Sequence, residues 1–479
     1  MKLARHLLGY APVKLVAALC SFGGIYFYTR LLSADEYGRY ALMFSVMALI
    51  HTLSLTWVEA SVYRFSGTAK AQGKMPDHFR NALTLIVRAL GFTLVLVGIL
   101  LAMTWNKPEY LLFVPLIALH LPFNAVVKTA FEAHRANQQV KRYMMAATSK
   151  LLIGFIVGVL LAWKIGLGAL SPIAGLLTGS ALLLLFEGRW LLKQAEGGVS
   201  NKATHQAWLA YGIPTAIALG LDMLLSSADR FLIVYYLDEA AVGGYAAGYG
   251  IADKTVLMLC AWVAMAGSPL LMAAYENGGK SPARDQSGSL IKTLLLVAMP
   301  AAMGLAFVAT PLANVMIGEN VRAQAIEVIP WIAVAGLLNG LLIHYYSESF
   351  QLAHRTRTRA YLMAVPVVMN IALNVLLIPM FDIMGAVYAT VASYLTAVIL
   401  LGIVGRQYVA LQFPLMDIAR IGLACACMWP AIQLVPEIGG WSELFAKVLA
   451  GALVYGVVVF ALNAGGARNL VQKVLKKRA

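Results

Sequence analysis

Long apolar runs alternate with short polar turns along the whole chain. A helix needs about 20 mostly apolar residues to cross the hydrocarbon of a bilayer. A window of that length picks out fourteen segments: 10–32, 40–57, 81–105, 110–127, 143–163, 168–186, 211–236, 242–271, 290–309, 326–350, 360–379, 383–404, 418–435 and 444–462. The pattern predicts an all-α polytopic membrane protein of about 14 transmembrane helices. The N-terminal MKLARHLLGYAPVKLVAALC has the basic start and apolar stretch of a signal peptide. No small-x-small cleavage site follows, so it reads as an uncleaved first span.

Composition narrows the class further. Of 479 residues, 61% are hydrophobic and 12% charged, against roughly 45–50% and about 25% in soluble domains. A soluble enzyme, a disordered chain and a compact nucleic-acid binder are excluded on that ground. The four cysteines, Cys20, Cys260, Cys425 and Cys427, fall inside apolar runs, which reads as buried thiols rather than a disulfide framework or zinc site. No metal-ligand spacing, nucleophile motif or phosphate-cradling glycine loop with Lys-Ser/Thr occurs. Neither a metal or other cofactor nor ATP is therefore expected.

The net charge of +15 raises the question of nucleic acid, and its placement answers it. With the N-terminus inside, 26 of the 37 basic residues fall on the cytoplasmic side, in the even-numbered connections and at both ends. Five fall outside: Arg30, Arg39, Lys107, Lys164 and Arg322. Six lie deeper within spans, residues within two positions of a span's end being counted with the adjoining turn. That asymmetry is the positive-inside rule, with both termini cytoplasmic. No outer connection is long enough for a catalytic domain, which disfavours a polysaccharide polymerase or ligase.

The chain also carries an internal repeat. LLSADEYGRYA, with Leu32, Gly38, Tyr40 and Ala41, recurs as YYLDEAAVGGYA, with Leu237, Gly243, Tyr245 and Ala246, at an offset of 205. Further on, Ala133-His134-Arg135, Tyr143 and Gly168-Ala169 pair with Ala353-His354-Arg355, Tyr361 and Gly385-Ala386, at offsets of 220, 218 and 217. Six spans per repeat make the two halves parallel, a plan that suits alternating access. The expected organisation is two parallel six-helix lobes, 1–200 and 201–410, with an additional helix pair and basic tail at 411–479.

These segments resemble bacterial polysaccharide flippases of the Wzx type, in the multidrug/oligosaccharidyl-lipid/polysaccharide exporter superfamily. The resemblance rests on LLSADEYGRYALMFSVMAL, on the stretch from Tyr211 to Lys254, and on Asn370-x-x-x-Asn374-x-x-x-Ile378-Pro379 with the Gly385-Ala386 turn after it. It implies passage of an undecaprenyl-diphosphate-linked glycan across the bacterial cytoplasmic membrane for O-antigen, capsule or exopolysaccharide. Its implied partners are that lipid-linked glycan, membrane lipid, a polysaccharide polymerase and a chain-length regulator. A cation-coupled multidrug antiporter of the same superfamily is the alternative.

A diphosphate head group needs fixed cations and donors along its path, and polar residues within spans are functional candidates. In the seventh span Asp222, Ser226 and Asp229 share a helical face, with Arg230 beside the last. In the eighth, Tyr245, Tyr249 and Asp253 repeat every four residues, followed by Lys254. Lys254, Arg230, Tyr245 and Tyr249 are the expected substrate contacts, with Lys14 and Arg88 as secondary ones. Asp222, Asp229, Asp253 and Glu348 are the expected ion-coupling groups. Each has a plainer reading: Lys254 bridging Asp222 or Asp229, an Asp229–Arg230 structural pair, interfacial tyrosines, and snorkelling by Lys14, Arg88 and Lys150. Glu348 belongs to a polar face with His344, Ser347 and Gln351. Glu59 ends the second span.

Overall fold

The computed structural model describes the backbone of residues 2–468 and the side chains of residues 12–468. The side chains of Lys2 and Arg5, and the basic tail with Lys473, Lys476, Lys477 and Arg478, lie outside the described residues. Among the described residues every regular element is helical. Eleven helices are long and apolar enough to cross a membrane, and the bent pair Ala34–Ser54 and Thr56–Ala71 makes a twelfth. The fourteen expected segments also include 211–236 as a span and divide 356–405 in two. The 35-residue helix Lys202–Tyr236 runs about 50 Å at 1.5 Å per residue. The 50-residue helix Thr356–Gly405 is two helices joined at Asp382, where φ is 51° and ψ −136°.

The chain forms two compact units, Met1–Ser227 and Ala228–Ala479. The first holds α1 (Lys2–Leu31), α2 (Ala34–Ser54), α3 (Thr56–Ala71), α4 (Met75–Thr104), the short α5 (Pro108–Leu111), α6 (Phe113–Ala136), α7 (Val140–Leu160), α8 (Ser171–Gln194) and most of α9 (Lys202–Tyr236). In it α7 packs against α8 and α1, and α6 against α8. Val13, Val127, Phe131, Ala146, Ala147 and Leu183 form a buried core where these helices meet.

The second unit holds the end of α9, then α10 (Glu239–Gly278), α11 (Lys280–Phe307), the short α12 (Ala309–Met316), α13 (Glu319–Leu341), the short α14 (Ser347–Leu352), α15 (Thr356–Gly405), α16 (Leu415–Gln433) and α17 (Gly440–Leu462). Here α13 packs against α10 and α15, and α16 pairs with α17.

The repeat is visible in how its helices begin and end. Ser33 caps α2 through a capping box with Glu36, and Asp238 caps α10 by accepting from Ala241 N. Each side chain satisfies a backbone donor that the first helical turn leaves open. The caps are 205 residues apart, as the sequence motif predicts.

Later the register drifts. The turn closed by Gln139 N donating to His134 O at 2.8 Å recurs as Arg355 N donating to Phe350 O at 2.7 Å. Gln138 and His354 hold the positive φ in these turns, 58° and 54°. Their offset is 216, so the Ala-His-Arg match at 220 is one helical turn out of register. The drift arises in one place: α6 has 24 residues, whereas the continuous helix from Glu319 to Leu352 has 34. The thiols are free, with Cys260 and Cys425 buried and Cys20 and Cys427 partly so.

Candidate functional site

Asp229 is fully buried in α9 and is the centre of the second unit's polar cluster. Tyr245 OH donates to its Oδ2 at 2.5 Å and Thr390 Oγ1 to the same oxygen at 2.6 Å. Asn374 Nδ2 donates to Oδ1 at 2.8 Å and also reaches Asn370. The turn in α15 explains the convergence. Asn374 and Thr390 stand eight residues before and after Asp382, so folding there returns both to one depth, on either side of the carboxylate. Asn374 Oδ1 and Asn370 Nδ2 are buried with no hydrogen-bond partner. The cluster therefore offers hard oxygens from a carboxylate, an amide and a hydroxyl. Such a set can hold a proton on Asp229 or a small hard cation among the oxygens.

One turn along α10 the pattern continues. Tyr249 OH lies 3.5 Å from Tyr394 OH, and Asn339 Nδ2 donates to Asp253 Oδ1 at 3.3 Å. The Tyr245 and Tyr249 rings are 5.6 Å apart, and the Arg230 guanidinium sits 5.8 Å from the Tyr249 centroid. Tyr245, Tyr249 and Asp253 are buried between helices, while Lys254 is exposed. Gly336 permits the packing, since a Cβ there would lie 3.2 Å from the Asp253 backbone. Glu348, also buried, accepts from Ser268 Oγ. Asp222 is partly buried in the first unit's part of α9. Lys14 is exposed on α1, and Arg88 Nη1 is 3.0 Å from His205 Nδ1.

The first unit holds a charged network that the span reading did not assemble. α2 and α3 meet at Leu55 with a bend of 48°. Trp57 Nε1 donates to Ser54 O at 2.8 Å, occupying a carbonyl that the break would otherwise orphan. Across the bend His51 Nε2 lies 2.8 Å from Glu59 Oε1. Lys128 Nζ is 3.2 Å from His51 Nε2 and 3.9 Å from Glu59 Oε2. Asn124 reaches His51 Nδ1 at 3.4 Å and accepts from Lys150 Nζ. Lys128 thus stands beside the carboxylate, and Lys150 joins the network through Asn124 and His51.

Lys128 was expected in a cytoplasmic connection, after a span ending at residue 127. α6 instead continues to Ala136. The signal was available: His120, Asn124 and Lys128 recur every four residues on one helical face.

A protein-family model described as "Polysaccharide biosynthesis protein" matches residues 27–325. The probable low-salt glycan biosynthesis flippase Agl15 of Haloferax volcanii is 21% identical over 473 residues, covering 96% of each chain. Among solved structures, the lipid II flippase MurJ in an inward closed conformation superposes with a TM-score of 0.75 at 15% identity, covering 97% of this chain and all of that one. An inward-facing multidrug resistance MATE family transporter of the MOP superfamily gives 0.66 at 14% identity, covering 82% and 93%. These structural likenesses establish a shared MurJ- and MATE-like fold. With the family model spanning well over half its length, the chain belongs to the polysaccharide biosynthesis protein family.

Proposed function

We propose that this chain is a flippase moving an undecaprenyl-diphosphate-linked oligosaccharide across the bacterial cytoplasmic membrane by alternating access. The observation that carries the reading is the cation surplus among the first unit's helices, where Lys128 stands by Glu59 and His51 and Lys150 holds Asn124 of the same network. Two ammonium groups in one network with a single carboxylate attract an anion, and a diphosphate is the anionic part of this cargo. The Lys128 side chain is 43% exposed, so it is accessible to one. Lys254, Arg230, Lys14 and Arg88 extend the phosphate contacts. The polyprenyl tail stays in lipid, and the product feeds O-antigen, capsule or exopolysaccharide assembly beside a polymerase and a chain-length regulator. Functionally, residues 1–200 and 201–410 act as the two lobes, and 411–479 as an appended pair.

Asp229 is the coupling group in this reading, taking a proton or sodium ion among Asn374, Asn370 and Thr390, with Asp222, Asp253 and Glu348 as further acidic sites. A cation-coupled drug antiporter is the second reading, favoured by the buried acids Asp229 and Asp253 and by the MATE likeness. Gene deletion separates the two. The flippase reading expects loss of a surface polysaccharide, with lipid-linked repeat units accumulating on the cytoplasmic leaflet. An unchanged glycan together with new drug sensitivity would overturn it.

A further inference from the structure

Two arginines line a second cavity in the second unit, away from Asp229. Arg284 lies near the start of α11 and Arg406 just after α15. The open space between them, about 560 Å³, is lined by Ala410, Leu411, Gln412, Phe413 and Pro414. This end of the unit is the one that the basic-residue distribution assigns to the cytoplasm.

The wall of the cavity is built and held. Gln412 N donates to Ser287 Oγ at 2.9 Å, Tyr345 OH donates to Gln412 O, and Gln412 Nε2 donates to Asp285 Oδ1 at 3.2 Å. A Cβ at Gly288 would meet the end of the Gln412 side chain, which shows how closely α11 approaches this segment. Asp285 is the acid closest in sequence, and it is engaged by Gln412. Among the described residues no carboxylate stands within ion-pairing distance of either guanidinium. Two like charges facing one cavity repel until an anion enters. The planar guanidinium fork matches phosphate oxygens in two-point contact.

The rim supplies the second half of the specificity. Phe413, Leu415 and Met416 are exposed by 48%, 71% and 66%, directly beside the cationic cavity and at the start of a spanning helix. A ligand satisfying both parts carries a phosphate and a hydrocarbon chain.

We propose that this cavity binds the phosphate of an anionic membrane lipid, with its chains along Phe413, Leu415 and Met416. Basic pockets at the cytoplasmic ends of membrane helices suit lipid head groups on general electrostatic grounds. The site needs neither Asp229 nor transport.

Native mass spectrometry of the purified full chain, titrated with phosphatidylglycerol or phosphatidylcholine, tests the site. The wild type is expected to retain phosphatidylglycerol preferentially. R284Q/R406Q should lose about tenfold in that retention, a loss fitting two charge-assisted contacts. R284K/R406K, which keeps the charge, should keep most of the binding, and K193Q in the other unit should match the wild type. Each single glutamine variant should show a partial loss, so misfolding of the double variant would not shield the proposal. Equal retention in wild type and glutamine variants, or no preference for phosphatidylglycerol, would overturn it. So would displacement by inorganic phosphate at the concentrations at which lipid acts. An added polyprenyl diphosphate that displaces phosphatidylglycerol from the wild type supports the lipid-phosphate site and identifies the cargo lipid as an occupant. Absence of displacement, with retention intact, supports the site with bulk phospholipid as its occupant.

Discussion

Asn374 Nδ2 donates to Asp229 Oδ1 at 2.8 Å, joining α9 to the first half of α15 inside the second unit. The contact leaves Asn374 Oδ1 unsatisfied, and an open acceptor beside a buried carboxylate is what a coupling ion or proton would use. D229N keeps the shape and removes the charge. Gradient-driven flipping in vesicles is expected to fall at least about tenfold, with expression and unfolding temperature near wild type, since the amide can still pair with Thr390 or Tyr245. Gradient-driven flipping at the wild-type rate in D229N would remove Asp229 from the coupling mechanism.

Lys128 differs from Lys150 in access. The Lys128 side chain is 43% exposed and reaches both His51 and Glu59, while Lys150 holds Asn124. K128Q is therefore expected to weaken diphosphate-lipid binding by about tenfold, the scale of one charge-assisted contact, and to flatten its dependence on salt. K150Q should show its larger effect in stability, because it disturbs the buried Asn124–His51 contact. Titration of a labelled lipid-linked glycan at two ionic strengths, alongside thermal unfolding, separates the two. A K128Q variant that binds as tightly as wild type at low salt would count against the anion site.

Most of the architecture was legible in the sequence because the bilayer imposes a length rule on every span. The motif repeated after Leu32 and Leu237 also carried through, since both copies open a capped helix, at Ser33 and at Asp238. Two things were less visible. The bend at Leu55 has no proline or glycine to announce it, and it is what brings His51 and Glu59 together. Of the partners of Asp229, Tyr245 is 16 positions away, but Asn374 and Thr390 come from 145 and 161 positions away. Only the fold of α15 at Asp382 reveals them, and its positive φ stands at an aspartate. Asn374, one of the two asparagines of the Asn-x-x-x-Asn motif on α15, bonds across to Asp229 on α9. Lys128 was set aside because a hydropathy window ends a span where charge begins, although the helix itself continues.

The close packing of α7 on α8 depends on four glycines. Gly154 and Gly158 on one helix face Gly175 and Gly179 on the other, and a Cβ at Gly175 would collide with the Gly154 carbonyl. Membrane helices gain affinity from such backbone approach, having no hydrophobic force to drive them together. G175A is expected to cost about 1–3 kcal/mol through overpacking, read as a lowered unfolding temperature in detergent. Gly91 on α4 has nothing within 4 Å of the site of an added Cβ, so G91A should be neutral or gain up to about 1 kcal/mol from helix propensity. Equal unfolding temperatures for the two variants would show that the glycine face does not hold these helices.

Adjacent residues on α10 offer a cleaner separation of binding from folding. Asp253 is buried and accepts from Asn339, whereas Lys254 is exposed. Successive helical positions point about 100° apart, so truncating Lys254 leaves the α10–α13 contact around Asp253 and Gly336 intact. K254A is expected to lower flipping by about tenfold, equivalent to about 1.4 kcal/mol, with an unchanged unfolding temperature. D253N, which alters a buried pair, should lower the unfolding temperature first. If Lys254 instead bridges a carboxylate structurally, K254A will lower stability and K254R will restore it without restoring transport. If it contacts the diphosphate, K254R will recover much of the flipping while K254A stays folded and slow. Full activity in a folded K254A would end its role as a phosphate contact.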